Sequence, residues 1–341
     1  MDAVAGTVKA FTLNVIISKL LSEEKKVFSA AFAGIAGTLL IGGSTFSSQT
    51  KAPRDTSEDM VLGVEKNTLL CKKIQDSEVV VLDEGSQFHK YYIEAFDWLL
   101  QDIMGNKELH FGGKHVIIGS DFGQTLPIVE KASQATQFRM SIKRSYLWAK
   151  FQQYRLISNE RCRNEEWKNT LLQIRSGEYE SDEDGNIKLP TEITYCDDNA
   201  EELQDKLINF VYDGMEDNYA NPEWFMDRCI LCPLNKSTNE MNERLIKKLP
   251  GKEIISYSAD SSTGVNDFEE VPIEFLNSFD YPGFPKHALR LKQNMILMLM
   301  RNINKKQGLC NRTRLIFKNI RGNVLECYNP VRREWVDIPR I

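Results

Sequence analysis

The stretch EVVVLDE, residues 78–84, places three valines and a leucine in a row and ends in two carboxylates. A short uninterrupted apolar run of this kind fits a strand covered on both faces, as parallel sheets provide. Ligands of such sheets gather at the carboxyl ends of the strands, so Asp83 and Glu84 stand where chemistry is expected. The pattern continues on either side. KKVFSAAF (25–32) and KHVIIGSDF (114–122) read as further strands, and QYRLISNERC (153–162) as a fifth element of the same kind. Between them, HKYYIEAFDWLLQDIM (89–104) sets Tyr92, Ala95, Leu99 and Ile103 at helical spacing, with Trp98 adjacent. Strands alternating with helices predict an α/β fold: a parallel sheet with helices on both faces.

DAVAGTVKAF (2–11) lies upstream of these strands. A phosphate-binding loop reads G-x-x-x-x-G-K-[ST]: glycines let backbone N–H groups reach phosphate, the lysine binds its outer oxygens and the hydroxyl holds Mg²⁺. Here Ala3, Val8, Lys9 and Ala10 occupy those positions and only the lysine fits. Gly6 and Thr7 suit such a loop, and the helical stretch FTLNVIISKLL follows it. A capped surface helix is the alternative. The strand ends supply the remaining candidates. Asp83 can orient Mg²⁺, and Glu84 can polarise an attacking water as general base. In IIGSDFGQTLPIV (117–129), Asp121 and Gln124 emerge from a neighbouring strand, and the glutamine can bond a γ-phosphate or the attacking water. Arg161 in LISNERCRN (156–164) can face the phosphates as a cation or serve a structural ion pair.

The chain is 42% hydrophobic and 27% charged, and its 341 residues predict two domains. SGEYESDEDGNIKLP (176–190) is acidic and closed by proline, an exposed junction. Beyond it, AEELQDKLINFVYDGM (200–215) and STNEMNERLIKKLPG (237–251) read as helices, with DRCILCPLN (227–235) a strand between them. From about residue 254 short apolar runs broken by Gly, Asn and Pro predict a β-rich region, in which NMILMLM (294–300) reads as a buried strand. No apolar run reaches the roughly 18 residues that span a bilayer. The C-terminal part from residue 286 carries +10 and the remainder −15, within a net charge of −5; that asymmetry suits a polyanion-facing end as well as a solvated basic surface. Seven cysteines lack a framework spacing, which favours a reducing intracellular compartment. Cys229 and Cys232 have metal-like spacing but lack a second pair, so buried thiols are expected there. The four histidines form no ligand pattern.

Taken in order, AGTVK, AGIAGTLLIGGST, VVVLDEGSQF, FGGKHVIIGSDFGQTLPIV, SIKRSYLW and LISNERCRN resemble the petite-integration-frequency (Pif) family of ATP-dependent DNA helicases, especially the branch carried by Helitron-type elements. In the second half RCILCPLNKSTNEMN, the long motif from residue 274 to 315 and the terminal IPRI are similar to the same branch. The resemblance implies a superfamily-one helicase that moves 5′ to 3′ on single-stranded or forked DNA, as a monomer without membrane association, in the nucleus or the mitochondrion. It implies a P-loop (RecA-like) domain over residues 1–176 with its first strand missing. An acidic linker over 177–198 and an incomplete second RecA-like domain with a β-rich, basic insertion over 199–341 follow. It assigns ATP phosphates to Gly6, Thr7 and Lys9, Mg²⁺ to Asp83, the general base to Glu84, γ-phosphate sensing to Gln124 and the arginine finger to Arg161. By the same resemblance, AFAGIAGTLL and GGSTFSSQTK contact single-stranded DNA, through Thr45, Ser48 and Lys51.

The chain departs from the family's pattern at several points. Val8 replaces a loop glycine, and a β-branched residue disfavours φ > 0. Ala10 replaces the hydroxyl that binds Mg²⁺. Ser120 stands for a glycine, Gly123 for a larger and often basic residue, Ser44 and Ser47 for arginine and histidine, and Arg312 for a glycine. In the family's pattern a later arginine and a second coupling motif follow the position of Ile341, and this polypeptide is expected to lack them. ATP hydrolysis by this polypeptide is therefore expected to be poor or absent. Three functions remain open from sequence: an ATP-dependent DNA helicase, an inactive nucleic-acid-binding or interaction protein that keeps the fold, and a P-loop NTPase acting on something else.

Overall fold

The computed structural model describes residues 1–4, 6–53, 55–129, 132–194, 199–258, 272–278, 285–304 and 307–340. Ala5 of the opening loop, residues 195–198 of the acidic linker and residues 279–284 and 305–306 of the long second-half motif lie outside them. The chain divides into two compact units, Met1–Lys188 and Leu189–Ile341.

The first unit runs β1 (Asp2–Ala3), α1 (Lys9–Ser22), β2 (Val27–Ala31), α2 (Gly34–Leu39), β3 (Ser44–Thr45), α3 (Phe46–Thr50), α4 (Leu69–Asp76), β4 (Val79–Asp83), α5 (Lys90–Met104), β5 (His115–Ile118), α6 (Gln134–Arg139), β6 (Arg155–Leu156) and α7 (Glu165–Ser176). Four strands form a parallel sheet in the order β3-β2-β4-β5. A parallel bridge from Asp2 to Ser120, just past β5, and a parallel β1-β6 pair carry the strand order further. The valine run of β4 explains the two-faced sheet. Val80 and Leu82 point into a core with Phe28, Phe46, Phe88, Ile93, Phe96 and Leu100, much of it supplied by α5. Val79 and Val81, one residue out of phase, point into a second core with Leu13 and Ile17 of α1. Alternate side chains leave opposite faces of a strand, and here both faces are apolar because helices cover both.

Two expectations are corrected in this unit. The strand before the phosphate loop is present, as the two-residue β1: Asp2 N–H donates to the Tyr154 carbonyl (2.7 Å) and Ala3 N–H to the Ser120 carbonyl (2.8 Å). Two residues suffice because neighbours on both sides take their backbone groups. The fifth element, expected over 153–162, is likewise a strand of only two residues, Arg155–Leu156.

His89 caps the N-terminus of α5, accepting from Tyr91 N–H at 3.3 Å through Nδ1, and only 6% of it is exposed. Burial first, and then the neighbouring Lys90 charge, lowers its pKa to about 4. The unfolded chain therefore binds this proton more readily than the folded one. Stability from this group is complete above the ordinary value of 6.5 and is lost as pH falls from there to about 4. The loss amounts to roughly 3 kcal/mol. Urea denaturation between pH 7 and 4 checks this: His89→Asn is expected to show a shallower decline than the parent, and parallel declines contradict it.

The second unit comprises α8 (Ala200–Val211), α9 (Pro222–Met226), α10 (Asn235–Lys248), β7 (Ile254–Tyr257), α11 (Ile273–Ser278), β8 (Ala288–Leu291), β9 (Ile296–Met298), β10 (Arg314–Arg321), β11 (Val324–Asn329) and β12 (Glu334–Pro339). β7 and β8 pair antiparallel, and β9 to β12 form an antiparallel sheet in the order β12-β11-β10-β9. Its inner face holds Leu315, Phe317, Leu325, Cys327, Val336 and Ile338. The β-rich region beyond residue 254 is thus as expected. The strand at 227–235 is not: residues 227–234 form no strand, and Cys229 is exposed and Cys232 half-buried rather than both buried. An apolar run becomes a strand only when another strand takes its N–H and C=O groups, and among the described residues none does so there. NMILMLM contributes β9, but as an edge strand with Met298 53% exposed, not as a buried one. Among the described residues, no helix is long and apolar enough to cross a membrane, and no cluster of metal-ligating side chains occurs.

Candidate nucleotide site

The strand registers line up the chemistry of the first unit. Ala31 pairs with Thr45 on one side and Asp83 on the other, and Leu82 pairs with Ile118. Thr45, Ala31, Asp83 and Gly119 therefore lie in one row at the carboxyl edge of the sheet. The row is crowded. A Cβ on Gly119 would stand 3.1 Å from Asp83 Oδ1 and 3.5 Å from Lys9 Cδ.

Lys9 joins this row from the first turn of α1. Its Nζ lies 2.6 Å from Asp83 Oδ1 and 2.8 Å from Glu84 Oε1. All three side chains are largely withdrawn from solvent, at 12%, 3% and 18% exposure. Glu84 sits in the left-handed region (φ 60°), where its N–H donates to Asp83 Oδ1 at 2.8 Å. Gln87 Nε2 steadies its other oxygen at 3.3 Å. In this state the carboxylate expected to act as base is held by the lysine expected to bind phosphate.

The loop before α1 keeps the conformation of an anion cradle without the residues that favour it. Gly6 has φ 88°, and Val8 stands at φ 50°, ψ 40° as N-cap of α1 with no side-chain cap. Among the described residues the first-turn N–H groups of this fourteen-residue helix thus have no side-chain acceptor, at the end where the helix dipole favours an anion. Thr7 is buried and its hydroxyl donates to the Val4 carbonyl at 2.7 Å. It is therefore committed to the loop and is no substitute for the hydroxyl that Ala10 lacks. Of the residues implied for Mg²⁺, the donor set retains Asp83 alone.

The Arg161 segment abuts this loop through its neighbours. Glu160 N–H donates to the Gly6 carbonyl at 3.0 Å, and Asn159 Oδ1 would lie 2.3 Å from a Cβ on Gly6. Asn159 Oδ1 also accepts from the N–H groups of Arg161 (3.0 Å) and Cys162 (3.1 Å). The Arg161 side chain is exposed and makes no ion pair among the described residues. Gln124 is exposed, and its Nε2 donates to Asp121 Oδ2 at 2.8 Å. Asp121 is 1% exposed and pairs with Arg175 of α7, Nη1 to Oδ1 2.7 Å.

Thr45 and Ser48 serve α3 directly. Thr45 Oγ1 accepts from Ser48 N–H at 3.4 Å, and Ser48 Oγ donates to the Thr45 carbonyl at 2.9 Å. Lys51 ends α3 in the left-handed region and is exposed. The structure therefore brings Lys9, Asp83 and Glu84 into contact, sets Gly6 against the Arg161 loop and holds Gln124 on Asp121. Among the described residues, no hydrogen bond or ion pair joins Thr45, Ser48 or Lys51 to Lys9, Asp83 or Glu84. Sequence reasoning missed Asn159 and Arg175. An asparagine two residues before Arg161 was a visible signal for a turn that caps its own backbone; nothing in the spacing of Arg175 pointed to Asp121.

The profile of the PIF1-like helicase family matches residues 1–185, and that of the 2B domain of the DNA helicase Pif1 matches residues 274–320. The chain is 28% identical over 255 residues to an ATP-dependent DNA helicase PIF1 of Trypanosoma brucei brucei, a match covering 73% of this chain and 22% of that protein. To the ATP-dependent DNA helicase Pif1 of Campylobacter jejuni it is 26% identical over 259 residues, covering 72% and 50%. The chain thus spans half or less of these relatives. The crystal structure of a Bacteroides Pif1 helicase in complex with ADP-AlF3 and ssDNA matches with a TM-score of 0.68 at 17% identity, over 99% of this chain and 69% of that one. At that identity the likeness is one of fold.

Proposed function

Because the chain belongs to the PIF1-like helicase family, we propose that it is an ATP-binding, single-stranded-DNA-binding protein descended from a 5′-to-3′ helicase, with hydrolysis weakened by its own phosphate loop. The observation that carries this reading is the contact of Lys9 with Asp83 and Glu84 at the carboxyl edge of a parallel sheet. In it, Lys9 leaves the carboxylates for nucleotide phosphate, aided by the uncapped N-terminus of α1 and by Gly6 and Thr7. Asp83 is the protein ligand for Mg²⁺, which supplies charge neutralisation at the phosphates. Glu84, once released, accepts the proton of the attacking water. Gln124 contacts the γ-phosphate or that water, and Arg161, free of any ion pair among the described residues, stabilises charge on the transferring group. Of the three DNA-contacting candidates, Thr45 and Ser48 shape the loop and Lys51 offers the charge. The protein acts on single-stranded or forked DNA, as a monomer.

A binder without turnover is the second reading, and the conformation of Val8 favours it. Two measurements separate the readings. Affinity for a single-stranded oligonucleotide is expected to fall steeply between about 50 and 200 mM salt, as phosphate contacts require. ATP turnover with that oligonucleotide is expected to lie about 10²-fold or more below that of a variant with an intact loop. Salt-independent or absent DNA binding removes both readings; weak but measurable turnover removes the second, none at all removes the first, and robust turnover by the unaltered chain contradicts the weakened loop that both readings assume.

A further inference from the structure

The loop after β5 and the last turn of α7 meet in a way that no resemblance assigns. Asp121 is almost wholly buried, and each of its carboxylate oxygens is committed. Oδ1 accepts from Gly123 N–H at 3.1 Å and pairs with Arg175 Nη1 at 2.7 Å; Oδ2 accepts from Gln124 Nε2 at 2.8 Å. A carboxylate only accepts, so this bond settles the glutamine amide: one hydrogen of Nε2 goes to Asp121 Oδ2, and the second is left to donate to a phosphate oxygen. Gly123 makes room for the cation. A Cβ there would lie 2.4 Å from Arg175 Nε and 2.6 Å from its Cζ, so the guanidinium lies across the glycine where a side chain would otherwise stand. Arg175 is itself three-quarters buried and reaches towards Asp2 of β1 at 4.0 Å. The helix that carries it starts three residues after Arg161, at the Asn164 cap.

We propose that Arg175 is a positioning residue for nucleotide recognition: lying across Gly123, it fixes Asp121, and Asp121 fixes the amide of Gln124 against the terminal phosphate. This rests on the reading of Gln124 as the group that meets the γ-phosphate end of ATP. A buried carboxylate stripped of its cation is left without a counter-charge and moves from its place, and it then stops dictating which way the glutamine faces. Gly123 and Arg175 form a matched pair, since the guanidinium can lie there only while position 123 lacks a side chain. Because α7 begins at the Arg161 loop, one helix then bears on both the glutamine and the arginine of the site.

The test is the ratio of affinities for ATPγS and ADP, read with fluorescent analogues of both. Arg175→Ala is expected to lower that ratio about tenfold, the scale of one hydrogen bond to a charged group, while leaving ADP affinity in place. Arg175→Lys keeps the charge and is expected to recover part of the ratio. Gln124→Ala sets the limit, and adding Arg175→Ala to it is expected to change nothing more. Gly123→Ala, which displaces the guanidinium without deleting it, is expected to reproduce the effect, and it stands in should Arg175→Ala fold poorly. If the parent binds both nucleotides and neither Arg175→Ala nor Gly123→Ala moves the ratio, the proposal is overturned. It is also overturned if the Arg175 and Gln124 effects simply add. If the parent binds neither nucleotide, the reading of the site itself falls, and the proposal with it.

Discussion

Val8→Gly combined with Ala10→Thr is expected to raise ATP turnover by about two to three orders of magnitude, the scale of losing or regaining a principal electrostatic contact in a transition state. The two substitutions act on different steps. Val8 is held at φ 50°, a conformation that a β-branched residue avoids. Its strain costs about 1–3 kcal/mol, and replacing it by glycine returns some of that gain through the entropy of a freer unfolded chain. Val8→Gly alone is therefore expected to stabilise the first unit by about 1 kcal/mol, a rise of roughly 2–4 °C in its melting temperature. It also clears side-chain bulk from the phosphate cradle. Ala10→Thr supplies the missing hydroxyl, since Thr7 already spends its own on the Val4 carbonyl. Steady-state hydrolysis with single-stranded DNA, measured for both single variants and the double, checks the result. Turnover unchanged in the double variant places the defect elsewhere.

The second large effect concerns the unliganded protein. Lys9→Ala leaves Asp83, 2% exposed, without the cation 2.6 Å from its Oδ1. Removing one partner of a buried ion pair costs about 3–5 kcal/mol, because the remaining charge has neither water nor a counter-charge. A fall of about 10 °C in the melting of the first unit is expected. Asp83→Asn added to Lys9→Ala is expected to recover most of it, because the uncompensated charge is then gone. A loss below about 1 kcal/mol would show that solvent reaches the carboxylate. The same contact bears on ligand affinity. Nucleotide phosphate must draw Lys9 away from two carboxylates, so binding is an exchange of ion pairs, and its strength depends on how well the incoming phosphate replaces Asp83 and Glu84.

Legibility in the sequence followed local physics. The valine run of β4, the helical spacing of α5 and the β2 and β5 strands were readable because both faces of the sheet are apolar and the pattern repeats within a few residues. The Lys9, Asp83 and Glu84 cluster was readable because all three lie at strand or helix ends, where topology converges. What escaped was set by distant partners. Residues 227–235 have a strand's composition, but pairing decides, and no partner stands beside them among the described residues. Arg175 is 54 residues from Asp121, and only the folded chain shows that Gly123 is small because a guanidinium covers it. Ser120 and Gly85 make a similar pair: the serine hydroxyl lies 2.2 Å from where a Cβ on Gly85 would be. Read singly, such departures look like damage; two of them turn out to be met by a neighbour.

Val8 and Arg312 are different, for each sits at positive φ, 50° and 70°, where the family's pattern has glycine. The side chain has changed and the backbone has kept its shape. The consequence is genetic. Any valine codon lies one base from a glycine codon, and at position 8 the reverting mutation would meet a loop already folded to receive it. No second mutation is required to reshape the main chain. A lineage carrying this loop therefore keeps a short route back to a competent phosphate cradle, one that would close if the backbone had relaxed around the valine.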